Sequence, residues 1–438
     1  MTGTAKIEGG AAAPCPRRAL LRRLFDTAVA SAQPDRCIPP ALPSPPRGRT
    51  IVVGAGKAAA AMALAVERHW RGPLEGLVIT RHSHGAPCRR IGVREAGHPV
   101  PDAAGIAATR EMFSVLDGVT EDDLVLCLLS GGGSALLAAP PSGVSLEDLQ
   151  ALSRALLRSG ATIAQINRVR RHLSMAANGG LAERARPAKL VTLAISDVPG
   201  DDAAMIASGP TTSDGSTGHD ALATLDALGI VPVPSVRYWL ESEPRGAAAV
   251  QETAEFHLIA SPQMALEAAA QAARDAGYPS LILGSAIEGE AREVATVHAG
   301  IALQAKRYGQ PLAPPCILLS GGETSVTVCA DGRGGRNSEF LLALLQALDG
   351  EAGIYALAAD TDGIDGTGPH AGAAIGPDTP ARARAQGISA AKALAENDSR
   401  TFFAAVGALV ETGPTFTNVN DFRAILIDAA PGDRSPPE

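Results

Sequence analysis

From Thr50 onward the chain alternates short apolar runs with stretches of helical periodicity. Ile51–Val53, Leu77–Ile79, Leu124–Leu129 and Leu190–Ile195 are apolar runs closed by Gly, Asp or Pro. That is the pattern of strands buried on both faces of a parallel sheet. Helical patterns over Ala58–His69 and Asp102–Leu116 lie between them. Ahead of this series, Leu20, Leu24 and Ala28 recur at four-residue spacing with Leu21, Phe25 and Val29 beside them, which predicts a helix over Arg17–Ser31. Pro34 to Pro46 holds six prolines and reads as a loop. Phe256–Ile259, Leu281–Leu283, Ile317–Leu319 and Tyr355–Ala358 continue the strand style, after turn-rich stretches at Thr211–Gly218 and Pro232–Pro244. The fold class is therefore α/β with two domains. Residues 17–245 are expected to form a Rossmann-like parallel sheet with flanking helices, and 246–430 a smaller α/β unit. Residues 1–16 and 431–438 read as disordered tails.

Composition narrows the function. Glycine is in surplus, with 47 residues in 438, against the roughly 31 that average usage would give. Aromatics are scarce at 3%, which disfavours stacking on nucleic-acid bases. A balance of 38 basic against 46 acidic side chains makes a poor polyanion partner. No apolar run reaches the length of a membrane span, and the N-terminus lacks the pattern of a secretory signal. The six cysteines form no CxxC pair and read as reduced thiols of a cytoplasmic protein.

Several turns could carry chemistry. Val52–Ala59, VVGAGKAA, runs from a strand through Gly54 and Gly56 to Lys57 at a helix start, where backbone N–H groups can meet an anion. It also matches a GxGxxA dinucleotide fingerprint. The next strand, however, is followed by Arg81 and His82 rather than an acidic ribose ligand, so NAD is disfavoured and NADP stays open. SGGGSA offers Ser130, Gly131, Gly132, Gly133 and Ser134 as a phosphate or carboxylate cradle, and SGGETS offers Ser320, Gly321, Gly322 and Glu323 similarly. GRGGRNSE presents Arg336 and Asn337 on a glycine-rich turn, and guanidinium suits phosphate oxygens. SDVPGDD and DTDGIDG place Asp197, Asp201, Asp202, Asp360, Asp362 and Asp365 after strands. Such carboxylates can hold Mg²⁺ or accept a hydroxyl proton, although a lone Asp in a turn is more often a cap. Arg170, in NRVRRHLS, could contact an anion; His82, His84, His98 and Asp102 are weak metal candidates. Anion cradles, cations and carboxylates without a local nucleophile–base motif fit phosphoryl transfer.

These motifs, with EAGHPVPD, LAISDVPGD and GPTFTNVND, run from about Thr50 to Leu426. Together they resemble the glycerate 2-kinase family with a MOFRL C-terminal domain, some members of which carry the label hydroxypyruvate reductase. The resemblance implies phosphorylation of D-glycerate at its 2-hydroxyl by ATP, with Mg²⁺, in a cleft between two α/β domains. It makes Lys57 and Arg336 the family's important lysine and arginine. The resulting assignment has Lys57, Arg336 and Asp197 as catalytic residues. Gly54, Gly56, Ser130 to Ser134, Arg170, Ser320 to Glu323 and Asn337 bind substrate or phosphate, and Asp197, Asp360 and Asp362 hold metal. Expected partners are D-glycerate and ATP, with no nucleic acid or membrane, and the chain could pair as a homodimer. The alternative is an NADPH-dependent hydroxypyruvate reductase. Two places depart from the family pattern: Ala177, near a position usually held by lysine, and Ser261-Pro262, where an Asn-bearing turn is common.

Overall fold

The structure is a computed structural model and describes residues 15–242, 254–366 and 368–429. The strands in chain order are β1 (Thr50–Ala55), β2 (Glu75–Arg81), β3 (Ile91–Ala96), β4 (Leu124–Leu129), β5 (Lys189–Ile195), β6 (Glu255–Ala260), β7 (Ser280–Gly284), β8 (Gly289–Glu290), β9 (Cys316–Gly322), β10 (Thr324–Ser325), β11 (Ile354–Asp360), β12 (Gly372–Ile375), β13 (Leu409–Val410) and β14 (Asp421–Ile427).

The first sheet has six strands in the order β3-β2-β1-β4-β5-β6, every neighbouring pair parallel. This is the Rossmann order, and chain direction switches between β1 and β4. Every residue of β1 and of β4 is buried, as their unbroken apolar runs require. Ala55 sits opposite Leu129, so the turns that follow the two strands emerge side by side at the carboxyl edge. Ligands bind at such a switch point.

The second sheet has the order β13-β12-β11-β14-β9-β7. Only β7 and β9 run parallel; the other neighbours are antiparallel. Asp421 at the start of β14 lies opposite both Gly322 at the end of β9 and Asp360 at the end of β11. Three acidic segments therefore meet on one edge.

Two elements cross between the units expected from sequence. The expected boundary near 245 lies outside the described residues, and β6 beyond it completes the first sheet by pairing with β5. Conversely, the helix Pro16–Ser31 packs on the helix Pro262–Asp275 and on β11 and β14 of the second sheet. One buried apolar cluster runs from the first sheet (Val52, Leu126, Leu193) through these helices to the second (Ile317, Leu357, Phe422). Phe25 and Phe422 meet within it at 5.8 Å between ring centroids, tilted at 58°. Each such ring contributes about 1.5–3 kcal/mol of burial to the contact between the sheets. Of the expected tails, residues 1–14 and 431–438 lie outside the described residues, while Pro16 already begins the first helix.

Candidate active site

The turn after β1 is committed to the protein itself. Gly56 N–H donates to Ile79 O (3.1 Å) and Lys57 N–H to Gly131 O (2.8 Å). Ala58 N–H donates to Ser130 Oγ (3.0 Å). A Cβ on Gly56 would lie 2.1 Å from Ser130 Oγ, so this glycine serves the contact between two turns. Gly54 and Gly56 are therefore not the anion cradle expected from sequence, and Ser130, fully buried, is a strut beneath it. The dinucleotide mode loses its backbone donors at the same stroke.

The free donors lie one turn further on. Neither Gly131 nor Gly132 N–H has a partner among the described residues. Gly132 adopts φ 81°, a left-handed conformation natural to glycine. A Cβ on Gly131 would lie 1.7 Å from Asp197 Oδ2, so only glycine lets that carboxylate close on the turn. Gly132, Ser134, Lys57, Asp197, His98, Asn167, Arg170 and Glu323 line a cavity of about 190 Å³. Burial, then the Lys57 charge, pushes the neutral His98 ring down to about 3.

Asp197 follows β5 and is gripped from the second unit. Asn418 Nδ2 donates to its Oδ2 at 2.7 Å, and Asn420 Nδ2 to its backbone O at 2.6 Å. Burial pushes its carboxyl up to about 6, against the opposing pull of Lys57. Lys57 Nζ donates to Asp362 Oδ2 at 3.1 Å, with its side chain 19% exposed. Burial opposes the ammonium charge, but Asp362, Asp360 and Asp197 outweigh it and hold Lys57 protonated above its ordinary value.

Arg336 opens the helix Arg336–Leu348 and is enclosed by carboxylates. Nε donates to Asp421 Oδ1 (2.7 Å), Nη2 to Asp360 Oδ2 (2.9 Å) and Nη1 to Glu323 Oε1 (3.2 Å). A weaker contact runs from Nη2 to Asn420 Oδ1 at 3.4 Å. One Nη1 hydrogen is left uncommitted. Asp365 fixes this helix start from behind: Oδ1 accepts from Asn337 N–H (3.0 Å), and Oδ2 from Ser338 N–H (2.9 Å) and Ser338 Oγ (2.6 Å). Burial and the neighbouring Asp362 push the Asp360 carboxyl well above its usual range, while Lys57 overcomes burial and holds Asp362 below it.

Several sequence assignments change. Ser320, Gly321 and Gly322 form no exposed loop; they end the wholly buried strand β9, hydrogen-bonded into the sheet, and Ser320 Oγ pairs with His298 Nε2 at 3.0 Å. Only Glu323 of that motif reaches the cavity. Gly133 is buried under Ala207, and Asn337 is buried, donating to Asp421 Oδ1 at 2.7 Å, so neither faces a phosphate. Among the described residues no three His, Cys, Asp or Glu side chains gather as a metal-ligand set. Asp197, Asp360 and Asp362 are not a ready-made metal triad, because Asn418, Arg336 and Lys57 already hold one each. Asp102 is a helix N-cap, accepting from Gly105 N–H. Ala177 is buried and does not line the cavity, and Ser261-Pro262 caps and opens a helix. The residues the motifs undersold are Asn418, Asn420 and Asp421, polar positions just ahead of an apolar strand in GPTFTNVND.

A Rossmann-ordered sheet whose switch point is closed by the acidic edge of a second sheet defines a small-molecule enzyme working between two α/β units. Residues 20–241 match a domain of unknown function, DUF4147, and residues 316–421 match the MOFRL family. The chain is 42% identical over 397 residues to the D-glycerate 2-kinase of Thermotoga maritima, covering 90% of this chain and 94% of that protein. It is 53% identical over 413 residues, 94% of each chain, to an Agrobacterium vitis protein provisionally named hydroxypyruvate reductase. The crystal structure of Thermotoga maritima glycerate kinase superposes with a TM-score of 0.85 at 39% identity, covering 94% of this chain and 99% of that one. The chain belongs to the MOFRL-containing glycerate kinase family.

Proposed function

We propose that the protein transfers the γ-phosphoryl group of ATP to the 2-hydroxyl of D-glycerate, giving 2-phosphoglycerate and ADP. The observation that carries this reading is Asp197, a carboxylate raised to about 6 that lines a small cavity beside a protonated lysine. A base of that strength is ionised at neutral pH and can take a hydroxyl proton as the oxygen attacks phosphorus. The bond from the γ-phosphorus to the bridging oxygen breaks, and ADP leaves with the electron pair. Asn418 and Asn420 fix the orientation of Asp197. Lys57 faces the reacting oxygens with its charge, held by Asp362. Arg336 organises Asp360, Asp421 and Glu323 and keeps one N–H for a phosphate oxygen.

The charge balance fits a divalent cation. Five carboxylates (Asp197, Glu323, Asp360, Asp362, Asp421) face four cations (Lys57, Arg170, Arg336, Arg423). Mg²⁺ is commonly held by one or two carboxylates together with substrate phosphates, which needs no complete protein cage. Asp360 and Asp362 are the residues that would hold it, and its contribution would be neutralisation of phosphate charge. Among the described residues no helix is long and apolar enough to cross a membrane. Cys15, Cys37, Cys88, Cys127, Cys316 and Cys329 are free thiols, which supports a reducing, cytoplasmic setting. Reductase chemistry draws support from the Agrobacterium name alone, since the β1 turn spends its N–H groups internally. The test is ADP release on mixing protein, ATP and Mg²⁺ with and without D-glycerate. Glycerate-dependent ADP is expected; hydroxypyruvate-dependent NADPH oxidation with no ADP would reverse the reading.

A further inference from the structure

The cavity beside Asp197 has a wall that the reaction chemistry leaves without a task. The helix Ile163–Arg171 presents Asn167 and Arg170 to it, three positions apart and so on one face. Asn167 is 6% exposed, and its side-chain amide has no hydrogen-bond partner among the described residues. Arg170 donates through Nη2 only to Pro99 O, at 3.2 Å, and its Nε is buried with no partner. No carboxylate of the described residues pairs with it, whereas the adjacent Arg171 is neutralised by Asp214 and Lys57 by Asp362. Leu157, Ile166, Met205 and Ala207 supply the apolar part of the lining, and Asp197 and Glu323 its carboxylates. A half-buried guanidinium whose Nε is buried without a partner is costly, and an anion that completes the pair lowers the cost.

The cavity's dimensions say which anion. Its volume of about 190 Å³ is below the roughly 300–1,000 Å³ of cofactor-sized sites. In a 2-hydroxy acid the reacting oxygen lies one carbon from the carboxylate, so both ends of that fragment fall within one small space that also holds Asp197.

We propose that Arg170 and Asn167 are the carboxylate-recognising pair of this site, and that through them the protein selects short 2-hydroxycarboxylates. The guanidinium and the Asn167 amide donate to the carboxylate oxygens, which turns the 2-hydroxyl toward Asp197. Lys57, already paired, is left for the transferring group. This rests on the kinase reading for the reaction, but the binding event is separable from turnover.

The experiment compares wild type with Arg170→Gln, Arg170→Lys and Asn167→Leu, with thermal melts confirming that each is folded. KM is measured for D-glycerate and for ATP, and D-glycerate binding is measured by calorimetry without ATP. Arg170→Gln should raise KM for D-glycerate roughly 30-fold or more, with KM for ATP within about twofold. Arg170→Lys should recover part of that loss, and Asn167→Leu should cost roughly tenfold. Methyl D-glycerate, which lacks the charge, should lose to D-glycerate in wild type and draw level in Arg170→Gln. A raised KM for ATP with KM for D-glycerate unchanged would place Arg170 on phosphate and overturn the proposal. Unchanged constants for both substrates would overturn it as well. If wild type binds D-glycerate without phosphorylating it, and Arg170→Gln abolishes that binding, the kinase reading falls while the carboxylate site stands.

Discussion

Replacing Asp197 by asparagine isolates the proton-acceptor role. The amide keeps the size of the side chain and can still accept from Asn418 Nδ2, which now bonds Oδ2 at 2.7 Å. What is lost is basicity. General-base catalysis contributes about 10²–10⁴-fold, equivalent to roughly 3–5.5 kcal/mol of barrier, and Asp197→Asn should lower kcat by that factor. The wild-type pH dependence follows from the same group. With burial raising the carboxyl to about 6, roughly nine-tenths is ionised at pH 7 and roughly one-tenth at pH 5. kcat/KM should therefore fall about tenfold between those values, on a profile that bends near 6 and approaches unit slope only below about pH 5. Lys57 pulls this carboxyl downward, so Lys57→Met should move the limb to higher pH as well as slow the reaction. The assay is initial-rate ADP release from pH 4.5 to 8 at saturating Mg²⁺, with D-glycerate varied. A flat profile through pH 6, or an Asp197→Asn enzyme within tenfold of wild type, would refute the assignment of Asp197 as base.

Other perturbations follow from the same contacts. Asp197 titrates higher when folded than the ordinary value of 3.8; the folded state thus holds this proton more tightly, and stability from this group falls as pH rises from about 4 to 6. Asp197→Asn should accordingly raise Tm at pH 7, with the gain vanishing near pH 4, as read by thermal melts. Arg336→Ala removes the cation shared by Asp360, Asp421 and Glu323, so urea unfolding should show about 3–5 kcal/mol lost. Arg336→Lys should fold better yet lose roughly 10³-fold in turnover, because a point charge cannot span three carboxylates. Gly131→Ala places a methyl group 1.7 Å from the present Asp197 Oδ2. It should depress kcat by displacing the base while circular dichroism stays native.

The parallel half of the fold was legible because β1, β2, β4 and β5 are buried apolar runs, and burial on both faces writes itself into sequence as an unbroken string. β3 carries Arg94 and Glu95 on exposed positions, and β14 carries the buried Arg423, so neither reads as a core strand. The assignment of β6 depended on which edge had a place for it, a fact of tertiary packing that no local pattern holds. Glycine surplus was visible, but its cause was misplaced. At Gly56 and Gly131 the missing side chain makes room for Ser130 and Asp197, not directly for a ligand. Lys57, Arg336 and Asp197 could be singled out because each sits where a strand ends or a helix begins. Their partners could not, since Asn418 and Asn420 lie more than two hundred positions from Asp197 and meet it only when the second sheet closes the cleft, and Asp421 meets Arg336 only across the same edge. The two SGG motifs look alike in sequence; one is a turn at the cavity and the other the end of a buried strand.

Phosphorus NMR with proton coupling on a reaction of D-glycerate, ATP and Mg²⁺ reads the identity and the position of the transferred group at once. The expected products are ADP and a new phosphomonoester doublet, coupled to the single methine proton of 2-phosphoglycerate. A triplet from the methylene of 3-phosphoglycerate, or unconsumed ATP beside hydroxypyruvate reduced at the expense of NADPH, would contradict the 2-kinase reading.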